Sequence, residues 1–112
     1  MRPYEKDPAA IYAQSFATVR AETRIERFPP DMQGLIIRLV HACGMVEIAD
    51  RLAFSPGAGR AGRAALAAGA PVLCDCEMVA AGIIRRALPA ANPVIVTLND
   101  PAVPGLAAAM GN

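Results

Sequence analysis

Hydrophobic positions recur every three to four residues along the first half of the chain and then condense into short unbroken runs. The pattern predicts helices first, followed by alternating helices and strands. Asp7-Pro8 reads as an N-cap with proline at the first helical position, so a helix is expected from about Pro8 to Arg27, ended by Phe28-Pro29-Pro30. Tyr12, Phe16, Val19 and Thr23 share one of its faces, with Ser15 adjoining. A second helix, capped by Asp31, carries the clearest amphipathic pattern. With Met32 as origin and about 100° per residue, Met32, Leu35, Ile36, Leu39, Val40 and Cys43 form one apolar arc. His41 falls about 180° away and Arg38 about 240° away. Gly44 is placed to end or kink that helix, with one further turn expected over Val46-Glu47-Ile48-Ala49.

Beyond Leu52-Ala53-Phe54, a short extended piece, the chain is expected to be helical from Arg60 to Ala68, with Gly69 as its terminator. Pro71 to Asp75 and Pro93 to Leu98 are apolar runs bounded by turn residues, the pattern of buried parallel strands. Helices over Glu77–Arg86 and Val103–Met110 alternate with them, so the fold class is α/β with a parallel sheet. Two strands make an incomplete sheet, and the chain reads as part of a fold.

Composition sharpens this picture. At 112 residues, a hydrophobic share of 54% excludes a disordered tail. Much of that share is alanine, aromatics are 4% and tryptophan is absent, so the core is expected to be modest and an oligomer is plausible. A net charge of +1, with eleven Lys and Arg scattered along the chain, gives no field for nucleic acid and no polybasic membrane patch. The start, Met1-Arg2-Pro3-Tyr4-Glu5-Lys6-Asp7, has no apolar leader segment and no run is long enough to span a bilayer. The expected setting is the cytoplasm, with the three cysteines reduced.

Four groups of residues could carry chemistry. Gly57-Ala58-Gly59-Arg60-Ala61-Gly62 spells G-x-G-x-x-G, with Asp75 and Glu77 at a suitable distance for a dinucleotide-binding unit. The run before it contains Arg51 and ends in Pro56, unlike the buried strand such a site requires, so a flexible turn opening a helix is the preferred reading. Cys74, Cys76, Cys43 and His41 lack the pair spacing of structural zinc sites; the cysteines are read as small apolar side chains in the interior, with no metal expected. Asp75 and Glu77, and then Asn99 and Asp100, follow the carboxyl ends of the two strands, where open α/β sheets bind ligands and where ordinary turn residues also collect. His41 is the chain's only histidine and the candidate for proton chemistry; an exposed or loop-packed imidazole is the alternative. Ser15 either bonds back to its own helix or contacts a ligand.

Ile11-Tyr12-Ala13-Gln14-Ser15-Phe16, Arg38-Leu39-Val40-His41-Ala42-Cys43-Gly44, the run from Ala70 to Val79 and the closing Gly111-Asn112 resemble the precorrin-8X methylmutases of cobalamin biosynthesis, called cobalt-precorrin-8 methylmutases in the anaerobic pathway. The resemblance runs in order and with matching spacing over essentially the whole chain. It implies a single N-terminal portion, residues 1–112, of an α/β domain with helices on both sides of a parallel sheet. It implies an isomerase that moves a methyl group from C11 to C12 of a corrin precursor by a 1,5-sigmatropic shift. The products are hydrogenobyrinate or, in the cobalt series, cobyrinate, and no cofactor or external methyl donor is used. By the same resemblance His41 is the proton donor or acceptor, Ser15 and Arg38 contact the tetrapyrrole, and the enzyme is a homodimer with sites near the subunit interface. Asp75 and Glu77 are added as possible pocket residues. In the family Gly-Asn is normally followed by Thr-Arg-Ser and by further strands and helices. A truncated chain that binds a corrinoid without turnover, or an inert fragment, is therefore the alternative reading.

Overall fold

The computed structural model describes residues 3–112; Met1 and Arg2, which open the stretch read for a leader, lie outside the described residues. The chain forms two compact units, one ending at Ala61 and the other beginning at Gly62.

The first unit is helical. Helix α1 spans Pro8–Thr23, and the Asp7 carboxylate caps it by accepting from the Ala9 N–H at 3.2 Å, as its Asp-Pro start predicts. It stops four residues earlier than its periodicity suggests. Arg24 adopts a left-handed conformation with φ 51°, and a 3-10 turn over Ile25–Arg27 follows. The reversal swings Ile25 into the core, and that burial offsets a backbone strain of about 1 kcal/mol or more at a non-glycine residue. Arg27 then donates its Nε–H to the Thr23 carbonyl and pairs with Asp50 on the surface.

Helix α2 spans Pro30–Cys43 and ends at Gly44, whose φ of 70° and N–H bond to the Val40 carbonyl at 2.8 Å form the expected stop. Its buried residues are Met32, Ile36, Ile37 and Val40; Ile36 is completely enclosed. Leu35, Leu39 and Cys43, expected in the apolar arc, are exposed. The seam is thus turned toward Ile37, about 140° from Met32, because α2 is packed on two sides, against α1 and against the 3-10 turn Val46–Arg51. Ile25 and Ala49 complete the core, with Phe16, Val19, Phe28, Leu52 and Phe54 half-buried around it.

Asp31 lies inside α2 and does not cap it. Its carboxylate accepts the Arg60 N–H at 3.1 Å, in the first turn of helix α3, Ala58–Ala67. An anion there satisfies an otherwise orphaned donor and complements the helix dipole. This contact explains the glycine-rich stretch. Gly57 turns the chain with φ +77°, and a Cβ on Gly59 would overlap the backbone carbonyl of Asp31.

The second unit holds the sheet. Strands β1, Val72–Cys74, and β2, Val94–Val96, pair in parallel, with Leu73 opposite Ile95. Helix α4, Glu77–Gly82, connects and packs against them, and helix α5, Val103–Ala109, follows β2. The α/β class and the parallel pairing match the expectation from the apolar runs. The helix expected to reach Arg86 stops at Gly82, and a separate 3-10 turn covers Arg85–Ala87. The buried polar residue of this unit is Asn92. Its Nδ2 donates to the carbonyls of Leu66 and Ala70, both at 2.8 Å, and its Oδ1 accepts from Ala90 N–H. It thereby satisfies a carbonyl from the last turn of α3 and ties that end to the start of β1. One face of the sheet is open: Leu73 is 75% exposed and Ile95 39% exposed, where a strand buried on both sides was expected.

Candidate functional site

Two short sets of residues meet where α1 and α2 pack. Tyr12, Ser15 and Phe16 stand at i, i+3 and i+4 on α1, so they share one helix face. Arg38 and His41 stand at i and i+3 on α2. The rotated seam of α2 brings His41 against α1, close to the buried edge at Ile37, while the imidazole stays exposed.

Ser15 Oγ lies 3.0 Å from His41 Nδ1. The hydroxyl thus bonds to a side chain of the neighbouring helix, an arrangement that neither sequence alternative for Ser15 named. The hydroxyl can donate to a bare Nδ1 or accept from a protonated one. In either arrangement Nδ1 is occupied, and Nε2 is left without a hydrogen-bond partner among the described residues. An imidazole held in this way presents one nitrogen for proton transfer.

The aromatic rings complete the cluster. The His41 ring centroid is 4.9 Å from that of Phe16 and 5.9 Å from that of Tyr12, both tilted. Tyr12 and Phe16 stack on each other at 6.1 Å. The Arg38 guanidinium sits over the Phe16 ring, 4.8 Å from its centroid. Among the described residues Arg38 has no ion pair, so its planar donors are available to an anion. The periodicity of α1 puts Tyr12 and Phe16 on one helix face beside Ser15 without marking them as part of a site. Their spacing around Ser15 was the available signal, and only the crossing of α1 and α2 gives it meaning.

The structure therefore brings Ser15, Arg38 and His41 together in the first unit. Asp75 and Glu77 belong to the second, where both are exposed, between the end of β1 and the first turn of α4. Asp100 has a local role, its carboxylate accepting the Ala102 N–H at 2.8 Å in the turn before α5. Cys43 is exposed, while Cys74 and Cys76 are half-buried, so none is the fully interior side chain expected. Among the described residues no three His, Cys, Asp or Glu side chains gather closely enough to hold a metal ion, and no helix is long and apolar enough to cross a membrane. Among the described residues no strand precedes Gly57, and Gly59 is consumed by packing on Asp31; the dinucleotide alternative loses its structural basis.

The family model described as CbiC: Precorrin-8X methylmutase matches residues 10–112. A precorrin-8X methylmutase of Pseudomonas aeruginosa is 59% identical over 112 residues, covering 100% of this chain and 54% of that protein. One from Sinorhizobium sp is 53% identical over 109 residues, covering 97% of this chain and 52% of that protein. The chain thus spans about half the length of the curated relatives it matches.

Proposed function

The chain belongs to the precorrin-8X methylmutase family, and from that premise we propose that it carries the acid–base half of a precorrin-8X methylmutase site in cobalamin biosynthesis. The observation that carries this reading is the Ser15–His41 contact at 3.0 Å, with Arg38 beside it on the same aromatic ring. The reaction is an isomerisation. The bond from the methyl carbon to C11 breaks as the bond to C12 forms, and no atom or electron pair leaves the substrate. A proton delivered by, or a hydrogen bond from, His41 Nε2 to a ring nitrogen polarises the conjugated system and eases the migration. Arg38 offers a forked donor to a peripheral carboxylate of the macrocycle. Residues 1–112 act as one N-terminal portion of the domain, in a cytoplasmic homodimer, with a tetrapyrrole as the substrate and no cofactor. Asp75 and Glu77 are proposed as further pocket residues only. The second reading is a corrinoid-binding chain without turnover, favoured by the Arg38 guanidinium, which has no ion pair among the described residues.

Precorrin-8X is to be incubated with the chain together with a polypeptide matching the remaining half of the Pseudomonas aeruginosa relative. Formation of hydrogenobyrinate, read from the visible spectrum, is the expected outcome. A spectral response without product selects the binding reading, and no response in any combination contradicts both.

A further inference from the structure

Phe16 meets Tyr12, Arg38 and His41 of the candidate site and belongs to none of the chemistry. Its half-buried ring packs on the core of the first unit. The same ring meets the His41 imidazole at 4.9 Å and the Arg38 guanidinium at 4.8 Å, and it stacks on Tyr12. Both polar groups are exposed and sit on long or rotatable side chains, so neither is fixed by burial. The serine contact restrains one atom of the imidazole and leaves the ring free to swing about it. Phe16 contacts both groups and is itself rooted in the core.

We infer that Phe16 is a positioning residue that holds the His41 imidazole and the Arg38 guanidinium at a fixed mutual separation. The physical basis is the quadrupole of the ring. Its negative face attracts the guanidinium, and the same ring limits the tilt of the imidazole. A cation and a proton-transfer group would otherwise drift apart when no anion bridges them. The core thereby sets the geometry of a site that lies on the surface. The inference deepens the reading of His41 and Arg38 given above and rests on it only for the ligand.

His41 is the single histidine, so its imidazole gives one isolated 13Cε1–1H signal. Relaxation of that signal in the free protein reports whether the ring is held. In the unsubstituted chain the order parameter is expected to lie near rigid values. Phe16→Leu, which keeps bulk and removes the ring, is expected to lower it toward the flexible range below about 0.6. Phe16→Tyr is expected to retain it. Val19→Ala, which trims core packing one turn along the same helix, is expected to lower stability without moving the signal. The companion measurement is binding of hydrogenobyrinate, which Phe16→Leu is expected to weaken about two- to fivefold, the worth of an exposed cation–π contact. An unchanged order parameter in folded Phe16→Leu overturns the inference. If that variant does not fold, the same comparison is made with Phe16→Met. The relaxation arm needs no ligand, so it stands or fails separately from the tetrapyrrole assignment.

Discussion

With the complementing half present, His41→Ala is expected to lower the proposed conversion of precorrin-8X by about 10²- to 10⁴-fold, the contribution of one positioned acid or base. The fold should tolerate the change. The imidazole is exposed and, among the described residues, makes one hydrogen bond, to Ser15 of α1, so stability should shift by no more than about 0.5–1 kcal/mol. Binding of the product should persist, because Arg38 and the aromatic pair remain. The combination separates proton chemistry from binding. Loss of turnover with retained affinity assigns His41 to the reaction, whereas turnover within about twofold of the unsubstituted chain removes it from the mechanism.

Gly59→Ala is expected to destabilise the first unit by about 1–3 kcal/mol, measured by denaturant unfolding. The added methyl has nowhere to go, since the atom it meets is the backbone carbonyl of Asp31, which cannot rotate aside as a side-chain tip could. Displacing it would also disturb the bond from the Arg60 N–H to the Asp31 carboxylate. Gly62 is the built-in comparison. A Cβ there meets open space inside α3, so Gly62→Ala is expected to be neutral or stabilising by up to about 1 kcal/mol. Equal effects at the two positions would contradict the packing explanation of the motif.

These two residues show where sequence was legible. His41 stood out as the single histidine, set beside Arg38 on the far side of an amphipathic helix, and Gly44, Asp7 and the two apolar runs marked real boundaries. What could not be read depended on neighbours. The buried seam of α2 is set by packing on two sides, so Ile37 goes in and Leu35 and Leu39 stay out. Asp31 looked like a cap for its own helix because local spacing says nothing of α3, 29 residues away. Tyr12 and Phe16 were not marked as part of a site because an apolar face serves packing and site equally well. The open Leu73 and Ile95 face is of another kind. A run of β-branched and aliphatic residues predicts a strand buried on both sides, whereas which face is covered depends on what packs on it, and the face carrying Leu73 and Ile95 is open.

Arg38, Ser15 and His41 are proposed to form a site for an anionic tetrapyrrole. The most direct measurement is a visible-absorption titration of hydrogenobyrinate into the chain and into its Arg38→Ala variant. A saturable spectral change, with Kd raised about ten- to a hundredfold by the loss of a charge-assisted contact, is the predicted result. No saturable change in the unsubstituted chain, or the same Kd in both proteins, would contradict it.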